Sequence, residues 1–304
     1  MDYNIDGTKK NKRVAIVTGS SSGIGFDTSL LLARNGLYTY ATMRNPHESK
    51  GRIVNVSGRE KLPLQVIRLD VTDVKSIEEA IEKIASEQER IDVLVNNAGY
   101  LLLGPLEELS INEFKEQFET NFFGVIRVTQ AILPIMRRQG EGKIVNISSI
   151  AGRIGFPLSS PYVSSKFALE GLSESLAFEE EQFGINVILI EPGVVKIDLG
   201  TSFKIGTRVA SNNTDSPYSE MTRKRIAGFK PRFESGSPPI EVAKVVLKVV
   251  TAENPDLRYL VGNDAFKLVE IRNNTSDKDF RKLVMESVMH YQVTIVFICL
   301  FHLS

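Results

Sequence analysis

Short apolar runs alternate along the chain with longer stretches in which apolar residues return every three or four positions. Val14–Thr18, Tyr38–Met43, Leu64–Leu69, Val93–Asn96, Lys143–Ser148, Asn186–Ile190 and Tyr259–Val261 read as strands. Between them lie helical patterns. Phe26–Asn35 presents Leu30, Leu31 and Ala33 and is closed by Gly36; Val74–Gln88 places Ile77, Ala80, Ile81 and Ile84 on one face. Asn112–Met136, Ser160–Phe183 and Ile240–Ala252 are the remaining helices. Strands that alternate with helices predict a single α/β domain, a doubly wound parallel sheet flanked by helices, with right-handed crossovers.

The alternation breaks over residues 197–238, which are rich in Ser, Thr, Gly, Asn and Pro. A long loop after the sixth strand lies at the carboxyl edge of the sheet, where open α/β sheets bind ligands. It is either a substrate lid or a surface excursion, and the lid is favoured, with Phe203, Tyr218 and Phe229 as candidate lining residues for an apolar ligand. Residues 1–12 read as a flexible polar tail without the apolar segment of a secretory signal. Residues 13–290 form the domain, and 291–304 an apolar tail. That tail is shorter than the about 20 apolar residues that a spanning helix needs. It reads as a docked segment or subunit contact ahead of a membrane or substrate-access element.

Composition narrows the function. The formal net charge is zero, so no electrostatic pull toward nucleic acid or anionic membrane follows. A single cysteine excludes an intrachain disulfide framework, and three scattered histidines make no zinc site, so no metal is expected. The chain reads as intracellular, in a reduced, cytoplasmic setting.

The chemistry begins at Thr18-Gly19-Ser20-Ser21-Ser22-Gly23-Ile24-Gly25, directly after the first strand. A strand that opens through glycines into a helix cradles phosphate: Gly19 makes the turn, Gly23 admits a pyrophosphate, and Gly25 lets the helix pack on the strand. Tyr162 and Lys166, four apart in a helical pattern, share a face. A phenol near pKa ~10 becomes a usable acid/base at neutral pH when an ammonium favours its phenolate. Ser149 ends the fifth strand, either as a turn residue or as a donor to a substrate carbonyl. Asn96-Asn97-Ala98-Gly99 ends the fourth strand, as a turn or as a close approach to a ligand. Asn121 sits in a helical pattern that asparagine disfavours, as a tolerated misfit or a local distortion.

Together these residues resemble the short-chain dehydrogenase/reductase family in its compact single-domain form, over about residues 13–290. The resemblance implies a Rossmann-type fold and an NAD(P)-dependent oxidoreductase that moves a hydride between nicotinamide and a carbonyl or secondary alcohol. It implies Tyr162 as general acid/base, Lys166 as its partner and a contact of the nicotinamide ribose, Ser149 as the group that polarises the carbonyl, and Asn121 as the holder of a relay water. Asp70 and Val71 match the family's adenine contact, Asn97, Ala98 and Gly99 its asparagine motif, and Pro192-Gly193 its motif after the sixth strand. Ile197 stands where the family often has a threonine, which shifts the carboxamide contact to Val195 or Thr201. The acid that ends the second strand in NAD-preferring members is absent, and Arg44 stands ready for a 2′-phosphate, so NADP(H) is expected over NAD(H). A homodimer or homotetramer and a hydroxysteroid- or retinol-dehydrogenase-like substrate range are also implied. A 3-oxoacyl thioester reductase and a non-catalytic dinucleotide sensor are the alternatives.

Overall fold

The computed structural model describes residues 12–196, 202–210 and 215–289. The first strand sets the architecture. In β1 (Val14–Val17), Val14 and Ile16 enter one core while Ala15 and Val17 enter the other. A strand with no wet face must be covered by helices on both sides. The further strands are β2 (Tyr38–Met43), β3 (Leu64–Arg68), β4 (Val93–Asn96), β5 (Leu101–Leu103), β6 (Gly142–Ile147), β7 (Ile185–Pro192), β8 (Phe203–Ile205) and β9 (Arg258–Val261). Seven of them form one parallel sheet in the order β3-β2-β1-β4-β6-β7-β9, while β5 and β8 pair separately.

The helices are α1 (Gly23–Arg34), α2 (Pro46–Ser49), α3 (Gly51–Glu60), α4 (Val74–Gln88), α5 (Ile111–Phe118), α6 (Gly124–Gln139), α7 (Ser160–Glu180), α8 (Thr207–Ala210), α9 (Ser219–Glu234), α10 (Pro239–Thr251), α11 (Asn263–Asn274) and α12 (Asp277–Met289). One face of the sheet is covered by Leu32 of α1 and by Val242, Val246, Val249 and Val250 of α10. The other is covered by Ile77, Ile81 and Ile84 of α4, by Val128, Ile132 and Met136 of α6, and by Leu176 of α7. Strand order reverses between β1 and β4, so the crevice of a doubly wound sheet opens at their carboxyl ends.

The expected doubly wound sheet is present, with three differences in detail. The helix expected over Asn112–Met136 is two α-helices joined by a π-helical segment, Glu119–Phe123. The stretch 197–238 is not one irregular loop, because its described parts hold β8, α8 and α9. Beyond β9, α11 and α12 bring Ala265, Leu268, Val269 and Phe280 against Ile150 and Ile154. The tails at 1–11 and 290–304, together with Ile197 and Thr201, lie outside the described residues. Among the described residues no helix is long and apolar enough to cross a membrane.

Beneath the crevice, Glu191 of β7 is fully buried. Arg153 Nε donates to its Oε1 at 2.6 Å, while its Oε2 has no hydrogen-bond partner. Burial, and then the charge of Glu170, push its carboxyl up to about 7, with Arg153 and Arg258 pulling the other way. An unfolded glutamate titrates at about 4.3. Between these values the folded state holds a proton that the unfolded chain has lost, so stability is present at low pH and falls as pH rises from about 5 to about 7. Glu191→Gln, neutral throughout, should flatten this part of the thermal-midpoint profile. An unchanged slope in calorimetry would assign it to another group.

Candidate active site

The ends of β1 and β4 are stitched together. Thr18 Oγ1 accepts the backbone N–H groups of Asn97 at 2.9 Å and Ala98 at 3.0 Å. Asn97 Nδ2 donates back to the carbonyls of Thr18 at 2.8 Å and Gly19 at 3.0 Å. The close approach requires glycine. Gly19 and Gly23 have φ of 68° and 57°. A Cβ on Gly19 would lie 2.8 Å from Ala98 Cα, and one on Gly25 would lie 2.3 Å from the Gly19 carbonyl oxygen. The first turn of α1 holds no acidic residue, so its N–H groups and partial positive charge remain available to an anion. These features fit the pyrophosphate of a dinucleotide.

From this cradle a cleft of about 760 Å³ runs to the far end of α9. Ser21, Ser22, Gly23 and Ile24 line it with Gly19 at one end, followed by Arg44, Asp70, Val71, Asn97, Ala98 and Gly99. Pro192, Gly193 and Val195 line the other wall. Thr18 and Gly25 stand one layer behind and shape the turn. Arg44 is exposed at the rim.

Asn121, Ser149, Tyr162 and Lys166 all face this cleft. Ser149 opens a 3₁₀ turn after β6; its Oγ accepts Ala151 N–H at 3.1 Å and donates to the Pro192 carbonyl at 3.5 Å. Tyr162 and Lys166 lie in the first turns of α7, with Lys166 Nζ 5.8 Å from the Tyr162 ring centroid. Burial raises the Tyr162 pKa, and the neighbouring Ser149 hydroxyl opposes this. Burial lowers Lys166 to about 8, against the attraction of the Glu170 carboxylate. Its ammonium donates to the Ile147 carbonyl at 2.7 Å.

The π-helical segment carries Asn121, whose carboxamide is bonded at both ends. Oδ1 accepts Tyr100 N–H at 3.1 Å, and Nδ2 donates to the Tyr100 carbonyl at 2.9 Å. Of the two sequence readings, the local distortion is the one present. Asn96 points away from the cleft, donating to Asn146 Oδ1 at 2.9 Å and tying β4 to β6.

Sequence reasoning overlooked three cleft-region groups and misplaced two. Arg225 and Arg232 of α9 line the cleft with Phe229 and Phe233. Their spacing of four, seven and eight residues from Arg225 marks a single helix face, which was readable but carried charge where apolar residues are expected. Asp264 at the start of α11 accepts Val194 N–H at 2.7 Å, so close that a Cβ on Gly193 would lie 2.3 Å from its Oδ2. Tyr218 lines nothing there, because its hydroxyl reaches out to Glu107 Oε2 at 2.9 Å. Phe229 does line the cleft, whereas Phe203 does not and packs on the Phe229 ring, with centroids 5.0 Å apart.

Known proteins are similar to this chain. The family model described as short chain dehydrogenase matches residues 13–206. An uncharacterized oxidoreductase of Bacillus subtilis, YusZ, is 41% identical over 254 residues, covering 83% of this chain and 90% of that protein. Retinol dehydrogenase 8 of Bos taurus is 37% identical over 254 residues, covering 81% and 80% respectively. Among solved structures, a variant of the actinorhodin polyketide ketoreductase with NADPH superposes with a TM-score of 0.70 at 29% identity, covering 83% of this chain and 96% of that one.

Proposed function

The chain belongs to the short-chain dehydrogenase family and is an NAD(P)-dependent oxidoreductase acting on hydroxyl or carbonyl groups; from that premise we propose that it is an NADP(H)-preferring carbonyl reductase or alcohol dehydrogenase that uses Tyr162 as its acid/base. The observation that carries this reading is the meeting of Ser149, Tyr162 and Lys166 in the same cleft as the glycine cradle.

When bound, the dinucleotide supplies or accepts the hydride. Gly19 to Gly25 hold its phosphates, Asp70 and Val71 flank the adenine, and Arg44 meets the 2′-phosphate. In the reductive direction Tyr162 gives its phenolic proton to the carbonyl oxygen, and in the oxidative direction it takes the proton back. Ser149 orients that oxygen. The Lys166 ammonium, 5.8 Å from the ring centroid, is a positive charge that favours the phenolate. Asn121, fixed by Tyr100, keeps the π-turn in place beside Ser165, to whose Oγ it donates at 3.4 Å. Association into a homo-oligomer through α6 and α7 belongs to the same reading. It is supported by the exposure of Phe123, Phe167 and Phe178 on or beside those helices.

Consumption of NADPH over a panel of ketones, steroids, retinoids and 3-oxoacyl thioesters tests the activity. Absence of turnover with the whole panel, in both directions, would favour a dinucleotide sensor. For cofactor choice, NADPH should be preferred over NADH by about tenfold or more in kcat/KM, as expected for charge-assisted hydrogen bonds to a phosphate. Arg44→Ala should bring the two cofactors close to parity. Equal values in the parent protein would remove Arg44 from this role.

A further inference from the structure

The lid helix α9 turns a mixed face toward the cleft. Arg225, Phe229, Arg232 and Phe233 fall at helical spacing and all line it. The rings have partners: Phe229 packs on Phe203 and on Phe233 at 5.2 Å, above buried Leu103 and Leu158. Arg225 is otherwise placed. Its guanidinium lies 4.8 Å from the Phe229 ring centroid, and its Nε is buried without a hydrogen-bond partner. The charge it feels most is the like charge of Arg232, and burial together with that neighbour pushes it down to about 9. Arg232 is also held low by burial, with Asp264 as the opposing carboxylate. Asp264 is already engaged by Val194 N–H. Two guanidinium groups therefore share the substrate end of the cleft with one committed carboxylate. Lys204, also on the cleft wall, is paired with Glu116 at 3.9 Å.

Burying an arginine with an unsatisfied donor is costly unless an anion arrives. Guanidinium forks match carboxylate and phosphate oxygens, and a cation stacked on an aromatic ring is held in position for them. We propose that Arg225, supported by Arg232, is the recognition site for an anionic group, carboxylate or phosphate, on the substrate whose carbonyl or hydroxyl meets Tyr162. The substrate is then amphiphilic: an apolar body lies against Phe229 and Phe233 and an acidic end lies on the arginines. The cofactor pyrophosphate is the other anion that could reach a cleft cation. It is served by the Gly19–Gly25 loop, whereas the ring beneath Arg225 packs over Leu158, just ahead of the helix that carries Tyr162.

This inference refines the proposed substrate of the same site, and its test reads binding, so a failure of catalysis leaves it measurable. The probes are ω-carboxylated methyl ketones of increasing chain length and their methyl esters, titrated by calorimetry into the NADP⁺-loaded protein. The acid should bind at least about tenfold more tightly than its ester at one or more chain lengths, a ratio in keeping with hydrogen bonds to charged groups. Arg225→Met should bring that ratio to about one while the Kd for NADPH moves by less than about threefold. The ligand-free R225M protein should also melt above the parent, because an unpaired buried cation has been removed. Equal binding of acid and ester by the parent at every length overturns the proposal without recourse to a variant. So does an acid preference that survives R225M, which would assign the carboxylate to another cation of the cleft. Weakened NADPH binding with an unchanged ratio gives the arginine to the cofactor, and a lowered melting temperature makes it a structural cation; either result also overturns it.

Discussion

Replacing Tyr162 by phenylalanine should lower kcat by about 10²–10⁴-fold, the usual range for removal of a general acid or base. The Kd for NADPH should stay within about threefold, because the phenol lies beside Ser149 and does not belong to the glycine cradle. The substitution removes one oxygen from a ring that lines the cleft, so the fold is retained. Stopped-flow reduction of a carbonyl substrate and fluorescence titration of NADPH separate the two effects. A variant with most of its kcat would take the proton transfer away from Tyr162. Lys166→Met is a useful companion. It deletes an ammonium bonded to the Ile147 carbonyl and beside the phenol, and should depress both cofactor affinity and rate.

Gly25→Ala should raise the Kd for NADPH by at least about 100-fold, a loss near 2.7 kcal/mol. The added methyl would lie 2.3 Å from the Gly19 carbonyl oxygen and 2.4 Å from Asn97 Nδ2. Neither can yield cheaply. The carbonyl belongs to a turn whose φ is already positive, and the amide is committed to two backbone carbonyls. Relief therefore moves α1 away from β1 and distorts the phosphate loop. Overpacking of this kind also costs about 1–3 kcal/mol of stability. Equilibrium titration with NADPH, alongside a denaturant melt, reads both effects. Unimpaired binding in a folded variant would mean that the cradle is not where the phosphates sit.

Much of the sheet was legible because its strands are buried on both faces. Runs such as Val14-Ala15-Ile16-Val17 contain nothing polar to obscure them, and their ends fall within a residue or two of the expected positions. The cradle and the Tyr162–Lys166 pair were legible for a different reason: their chemistry depends on local spacing. What escaped notice depends on tertiary surroundings. α9 looked irregular because two of its inward positions are arginines, and an inward cation erases the apolar period. β5 and β8 are three residues each and exist only by pairing with one another across about a hundred residues of chain. Asp264 gave no signal, since its partner, the Val194 N–H, belongs to a loop seventy residues away. Of the three expected aromatic lining residues only Phe229 lines the cleft, because side-chain direction decides whether a ring such as Tyr218 turns to the cleft or to solvent.

The π-helical turn at Glu119–Phe123 sets the angular phase between the two helices it joins. An α-helix advances about 100° per residue, so one residue accommodated in a wider turn rotates all that follows by that amount. Upstream, α5 starts from the Ser110 capping box and leaves Ile111 exposed; downstream, α6 points Val128, Ile132 and Met136 into the core. Deleting one residue between 119 and 123 would regularise the helix and yet turn those three side chains off the sheet, carrying Asn121 away from Tyr100. The number of residues between the Ser110 and Gly140 caps is thus under stricter constraint than the identity of most of them. Substitutions along this stretch should be tolerated far more often than single-residue insertions or deletions.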